Sequence, residues 1–306
     1  MINSTFVLHR TNDYFFKRVF GSEEGKDVLI DFLNATQKRP PYDRIKSVTL
    51  EDREIDPERY YDKAVRLDVL AHTELGHIFN VEVQVAKQFY LDKRILYYWS
   101  ALYHRQLQQG KPFSQLLPTV SISILGFTYF EEDERYHHIF HISDDETGKR
   151  LNGDFEVHFL ELTKIKKLVR EPQNGLEEWL VYLNDVQGKE LEVIAMSNPA
   201  IRKALTIEEI FKADAQERRL YEMREKAFLD EISNFEGAKA EGKAEGKADA
   251  ICQYLETRFG AESQSLQDTV RTITDLDVLS RIISRIFVVN HLDEAKKLIQ
   301  GSFVSQ

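Results

Sequence analysis

Residues 64–87 read AVRLDVLAHTELGHIFNVEVQVAK, and the fold turns on this stretch. In its second half Phe79, Val81, Val83 and Val85 alternate with Asn80, Glu82 and Gln84. A period of two belongs to a strand, with successive side chains on opposite faces. Residues 64–72 form a second strand candidate, and Thr73-Glu74-Leu75-Gly76 separates it from the next, 77–87. A three-residue loop from Glu74 to Gly76, with Gly76 left-handed, closes a hairpin and sets Thr73 opposite His77. In that register Asp68 faces Glu82. Directly opposed residues have Cβ atoms about 4.5–5.5 Å apart on one face of the sheet.

Two carboxylates so placed repel each other and call for compensation. Arg66 or Lys63 could supply it, as could a shared proton, but a divalent metal would do it best. Mg²⁺ takes one or two carboxylates and fills its shell with water and substrate phosphate. Such an ion stabilises charge on a scissile phosphate and acidifies a bound water. The plain alternative is a pair of acids on a wet sheet face, and spacing alone does not choose between them.

Outward from the hairpin the elements alternate. DYFFKRVF (13–20) resumes after a Gly21–Gly25 break as DVLIDFLNA, with helical spacing at Val28, Leu29, Phe32 and Leu33. Pro40-Pro41 ends that region, and IKSVTLED (45–52) precedes the hairpin as a first strand. YLDKRILYYWSALYHRQLQQG (90–110) predicts a long helix closed by Gly110. TVSISILGF (119–127) predicts a strand near the middle of a sheet, apolar on both faces. Further strands are expected at 136–143 and 155–162, then helices, with LEEWLVYLND the clearest. Thr206-Ile207-Glu208-Glu209 has the capping-box pattern and predicts the start of a long helical stretch.

That stretch enters GAKAEGKAEGKADA (237–250), where Ala238, Gly242, Gly246 and Ala250 fall every four residues. A solvated helical spacer is the first reading; a small-residue stripe for close helix approach, as in a homodimer through the helical arm, is the second. Beyond it, Ile251, Tyr254, Leu255 and Phe259, then Leu266, Val270 and Ile273, then Val278, Leu279, Ile282, Ile283 and Ile286 describe a small helical module.

The 306 residues suffice for one large domain or two smaller ones, and 42% apolar with 30% charged residues describes a folded chain. No apolar run reaches the ~18 residues of a membrane span, so no membrane role is expected. MINSTFVLHRTNDYFF has neither a basic start nor an apolar signal core, so no export is expected. Cys252 is the only cysteine, which removes disulfides and cysteine zinc sites and suits a reducing cytoplasm, the expected location. The net charge of −10 is uneven: residues 1–130 hold 17 Lys and Arg against 16 Asp and Glu, and the rest hold 24 against 35. A phosphate ligand is therefore compatible with the front half.

The ordered set DYFFKRVFG, DVLIDFLNA, RLDVLAH, VEVQ, RILYYWSALYHRQLQQG and PTVSISILGF resembles the PD-(D/E)XK nuclease-family transposases of the recombination-promoting nuclease type. The likeness covers residues 10–130 well and fades beyond about 165. It implies an α/β restriction-endonuclease-like core, αβββαβ, with a mainly helical C-terminal extension. The corresponding division is a nuclease-like domain over 1–200, a long charged helical linker with EGKA repeats over 201–250, and a helical module over 251–306. It also implies a metal-dependent DNA endonuclease, with Mg²⁺ as cofactor, Mn²⁺ as its alternative, and DNA as partner. Asp68 matches the first metal-binding aspartate and Glu82 the acid of the (D/E)XK element. Gln84 occupies the lysine position, where an amide can orient a water but cannot act as a base. Lys87 is the nearest lysine, but on a regular strand it points away from Glu82; Lys17 on the first helix is the other candidate. Asp13, one turn before Lys17, is either a site acid or the cap of its helix.

Other residues carry weaker signals. Lys93, Arg94 and Arg105 on the long helix are candidate DNA-phosphate contacts. Tyr97, Tyr98, Trp99 and Tyr103 could stack bases, but on a helix against a sheet most are expected to pack. His137, His138 and His141 lack a companion acid at ligand spacing, and a packing or surface role is favoured. Ser121 and Ser123 sit in no nucleophile motif, and no Gly-rich phosphate loop follows a strand. Two rival readings stay open: a catalytically weak or inactive nuclease-fold DNA-binding or regulatory protein, and a partner-binding protein acting through its helical arm.

Overall fold

The computed structural model describes residues 6–51, 54–55, 65–107, 109–167 and 170–302, with backbone alone at Glu54, Ile55, Val65 and Arg66. Lys63 and the side chain of Arg66, two of the expected counter-charges, lie outside the described residues. Two helices lead, α1 (Asp13–Phe20) and α2 (Lys26–Thr36). Asn12 caps α1, its side chain accepting from the backbone N–H groups of Tyr14 and Phe15. The cap role left open for Asp13 thus belongs to its neighbour. Between the helices Gly25 is obligatory, since a Cβ there would lie 1.8 Å from the carbonyl oxygen of Val19.

The strands follow as β1 (Val48–Leu50), β2 (Glu54–Ile55), β3 (Val65–Arg66), β4 (Val69–Thr73) and β5 (Ile78–Gln84). Helix α3 (Leu91–Arg105) then crosses to β6 (Thr119–Leu125), and β7 (His137–Phe140) and β8 (Phe155–Glu161) complete the set. Six strands form one sheet in the order β1-β4-β5-β6-β8-β7, while β2 and β3 pair separately. The β1–β4 and β4–β5 pairs are antiparallel, β5–β6 and β6–β8 parallel, and β7–β8 antiparallel. Parallel neighbours need a crossover, and α3 supplies it between β5 and β6. This is the expected restriction-endonuclease-like α/β core.

The hairpin register is the one read from the turn. Val69 pairs with Val81 and His72 with Ile78, and Gly76 is left-handed at φ +78°. The strand expected over 64–72 is nevertheless two pieces, β3 and β4, parted at Leu67–Asp68. There side chains take over the ladder: the Asp68 N–H donates to Glu82 Oε1, and the Val83 N–H donates to Asp68 Oδ2.

Helices α1 and α2 cover one face of the sheet, with Phe16, Val19, Phe20, Leu29 and Phe32 among the buried residues they share with Val69, Phe79, Val81, Ile122 and Leu160. The face under α3 is different. Leu70, Ile78 and Leu102 form one small apolar patch, and Leu91, Ile95, Leu125, Val157 and Phe159 another. Strand β6 is buried throughout, yet it is not apolar on both faces as expected, because Ser121 and Ser123 occupy its α3 side.

Helices α4 (Leu162–Ile165), α5 (Gly175–Leu183), α6 (Lys189–Ser197) and α7 (Pro199–Ala213) extend the first core. The capping box expected at Thr206 is not a helix start. Helix α7 begins at Pro199, with Asn198 as its cap, so Thr206 is interior and its hydroxyl bonds back to the Arg202 carbonyl. Asn198-Pro199 is the stronger signal, since proline at the first helical position needs no N–H partner. Arg10 ties this layer together: its Nε donates to Glu208 at 2.7 Å and its Nη1 to the carbonyls of Tyr182 and Val186. Arg10 and Glu208 are both buried. Arg10→Ala is expected to cost about 3–5 kcal/mol in urea unfolding, because it strands a buried carboxylate. An unchanged midpoint would show that Lys212, 2.5 Å from the same carboxylate, compensates alone.

Helix α8 (Ala215–Phe259) is 45 residues long, and within it the chain parts into two compact units, Met1–Glu225 and Lys226–Gln306. In the second unit α9 (Gln264–Arg271), α10 (Leu276–Ile286) and α11 (Leu292–Gly301) pack around Ile251, Leu255, Val270, Leu279, Ile282, Ile286 and Ile299. From the 237–250 segment of α8 the residues buried there are Ala244 and Ala248. Gly242 and Gly246 are exposed and a Cβ on either meets open space, so among the described residues nothing covers the two glycines of the stripe.

Candidate metal centre at the end of the β4–β5 hairpin

The polar residues of β5 are not a wet face. Asn80, Glu82 and Gln84 are 2%, 8% and 9% exposed, and they lie with Ser121 and Ser123 in a polar strip between the two apolar patches under α3. The parallel register puts Asn80 beside Ser121 and Glu82 beside Ser123. A cavity of about 10 Å³ lies within this strip, lined also by Leu91, Arg94, Ile95 and Tyr98, which is room for about one water. Three atoms around it lack a hydrogen-bond partner among the described residues: Asn80 Oδ1, Ser121 Oγ and Arg94 Nε.

Asp68 and Glu82 meet at the lip of this strip through the two crossed hydrogen bonds that end the ladder. Lys17 reaches Asp68 from α1, with Nζ 2.8 Å from Oδ1, and lies 3.4 Å from Asp13 Oδ2. Asp13, Lys17, Asp68 and Glu82 therefore form one chain of contacts drawn from α1 and the hairpin. Glu82 makes no ion pair among the described residues, and its carboxyl is pushed up to about 8. Burial is the main cause, and the charge of Asp68 adds to it; the Asp68 N–H bond and the cations Arg94 and Lys17 oppose it. The compensation required of opposed acids is thus divided. Lys17 answers Asp68, and Glu82 is left holding a proton.

The remaining expected residues are placed unevenly. Gln84 lies in the strip with Glu82. Lys87 is turned out to solvent and pairs with Glu131 at 3.2 Å. Lys93 is exposed over the ring of Tyr90, whereas Arg94 borders the strip, stacks over Tyr98 at 5.8 Å and bonds Gln88. Arg105 lies eleven residues further along α3, about 16 Å by helical rise. There it pairs with Glu51 at 2.6 Å, which also holds His72, so the structure does not bring it to the site.

Of the aromatics on α3, Trp99 and Tyr103 stack on each other at 4.8 Å and are tied by hydrogen bonds to the Thr119 carbonyl and Asp154. Tyr98 packs against the first apolar patch, and Tyr97 is 43% exposed. The histidines do have acidic companions, contrary to expectation, contributed by the neighbouring strand and a loop. His138 contacts Asp133 and Glu161, and His137 bonds His158, which bonds Glu156. His141 lies beyond β7, so it shares no strand face with His137. No group of three or more His, Cys, Asp or Glu able to hold a metal occurs among the described residues.

Asn80, Ser121, Ser123 and Tyr98 line the site although their sequence context alone assigns them no part in it. Their signal was the matching alternation of SIS in β6 with NVEVQ in β5, visible once the two strands are known to be neighbours.

The donor set at the centre is two carboxylates, Asp68 and Glu82. Hard oxygen ligands in that number fit Mg²⁺ or Mn²⁺, which keep several waters, and do not fit a closed zinc site. Glu82 supplies the physical test of fit: a buried carboxyl that holds its proton for want of a positive partner is one that a divalent cation would ionise.

The family described as PD-(D/E)XK nuclease family transposase matches residues 10–238. The matched segment contains every residue of the centre. No curated protein and no solved structure matches the chain. No helix among the described residues is long and apolar enough to cross a membrane.

Proposed function

The chain belongs to the PD-(D/E)XK nuclease family transposases, and we propose that it is a divalent-metal-dependent endonuclease that hydrolyses DNA phosphodiester bonds in recombination or element mobility. The family carries the nuclease class, its divalent metal and DNA as substrate. The observation that supports this chain's own activity is the crossing of Asp68 and Glu82, which sets two carboxylates side by side at the open end of a hairpin.

Asp68 and Glu82 would hold Mg²⁺ or Mn²⁺. When bound, that ion neutralises charge on the scissile phosphate and acidifies a water. The chain's own groups do the rest. Lys17 balances Asp68 and brings a positive charge to the centre, which Gln84 cannot do from the lysine position. Gln84 can accept a hydrogen bond from the attacking water and fix its direction, but its amide takes up no proton at neutral pH. Asp13 also holds Lys17, at 3.4 Å, and Arg94 offers a second cation at the rim.

The test is direct. Plasmid DNA incubated with the full chain is expected to be nicked with Mg²⁺ or Mn²⁺ and to stay intact with EDTA. DNA binding without nicking in either metal would overturn hydrolysis and favour the DNA-binding or regulatory reading, in which Gln84 marks lost activity.

A further inference from the structure

A second cavity, of about 310 Å³, opens beside the metal centre and is lined by Asp13, Tyr14, Lys17, Arg18, Gly21, Ser22, Leu67 and Arg224. Leu67 precedes Asp68, and Lys17 is shared with the centre, so the cavity continues from the two carboxylates along α1. Three of its lining groups are cations and one is an anion. Their commitments differ. Lys17 is held by Asp68 and Asp13, and Arg18 by Glu24 at 2.8 Å, by Glu217 at 3.8 Å and by Ser22. Arg224, exposed on α8, makes no hydrogen bond or ion pair among the described residues.

The hydroxyls differ in the same way. The Tyr14 O–H donates to Glu217 at 2.6 Å and is spent. Ser22 Oγ only accepts, from the Gly25 N–H and from Arg18 Nη1, so its own proton has no acceptor among the described residues. The cavity therefore presents an unpaired guanidinium, an unspent hydroxyl and an arginine whose nearer carboxylate partner, Glu24, is half-exposed and whose other, Glu217, stands off at 3.8 Å. An exposed ion pair of that kind contributes little and yields readily to a doubly accepting anion. Phosphate is the anion that matches: it takes an arginine in bidentate fashion and a hydroxyl alongside.

We propose that this cavity is a subsite for a backbone phosphate of the substrate strand, one or two nucleotides from the scissile one, with Arg224, Arg18 and Ser22 as its donors. The proposal rests on the nuclease reading for the identity of the strand. A free nucleotide presents the same chemistry, and the experiment separates the two sources.

The full chain carrying Asp68→Asn, in EDTA so that no strand is cut, is titrated with a fluorescent 20-base-pair duplex over a range of salt. Adding Arg224→Ala is expected to weaken binding roughly tenfold. It is also expected to lower the slope of log K against log salt by about 0.9, equally for two unrelated sequences. Arg224→Lys should keep the slope. Deoxyadenosine monophosphate at matched ionic strength is expected to compete no better than chloride; competition that Arg224→Ala abolishes would reassign the subsite to a free nucleotide and overturn the strand proposal. An unchanged slope and affinity in Arg224→Ala, or no duplex binding at all, would also overturn it. Failure of the nuclease reading looks different: no metal gives nicking, while the Arg224 effect on binding persists.

Discussion

Asp68→Asn is expected to lower metal-dependent nicking of plasmid DNA by about three orders of magnitude, the scale of a few kcal/mol of lost transition-state stabilisation. The substitution keeps the shape of the side chain, and its amide oxygen can still accept from the Val83 N–H that closes the ladder. Lys17 keeps Asp13 as a partner at 3.4 Å. The variant should therefore fold, with a melting temperature within a few degrees of wild type, and the loss should trace to the centre. Calorimetric titration with Mn²⁺ is the companion measurement: the heat seen with wild type should vanish. Asp13→Asn, which touches the centre only through Lys17, should cost far less. A wild-type nicking rate in Asp68→Asn would remove Asp68 from the metal site and, with it, the hydrolytic mechanism.

Glu82→Gln has the second large expected effect, and it is on stability. In metal-free protein the Glu82 carboxyl sits at about 8, raised from 4.5 by burial and by Asp68. A raised carboxyl means that the folded state holds a proton the unfolded state releases. Below 4.5 both states are protonated and Glu82 costs nothing. Between 4.5 and about 8 wild-type stability falls as pH rises, and above about 8 the cost is complete. Glutamine is neutral throughout. In EDTA the two proteins should therefore unfold alike near pH 4. By pH 9 Glu82→Gln should be the more stable by a margin on the order of 3 kcal/mol. Mg²⁺ should narrow the gap by stabilising only wild type at high pH, because a ligand of the folded state adds stability by mass action. Parallel pH profiles for the two proteins would show that Glu82 is already neutralised without metal.

Both effects come from one hairpin, and much of that hairpin was legible. The alternation over 79–85 defines a strand, and Gly76 fixes the turn and hence the register, because a one-residue slip would exchange every side chain between faces. The helical spacing in residues 13–36 and the long helix after residue 90 follow from local periodicity in the same way. Patterns of this kind are short-range, and the chain itself carries them.

What covers each face is a different matter, since it depends on residues distant in sequence. Asn80, Glu82 and Gln84 read equally well as a solvated edge; the crossover of α3 buries them, and that burial is the main cause that raises Glu82. The break at Asp68 arises because two side chains fourteen residues apart replace backbone partners. Thr206 carries a local capping pattern, yet Asn198-Pro199 upstream had already started the helix. Arg94 and Arg105 look equivalent on one helix face, but helical rise sends one to the polar strip and the other to Glu51. In the glycine-rich segment Ala244 and Ala248 meet the C-terminal core, a choice set by where α9 to α11 pack. Periodicity determined which residues share a face, and the packing of distant elements decided which faces lost their water.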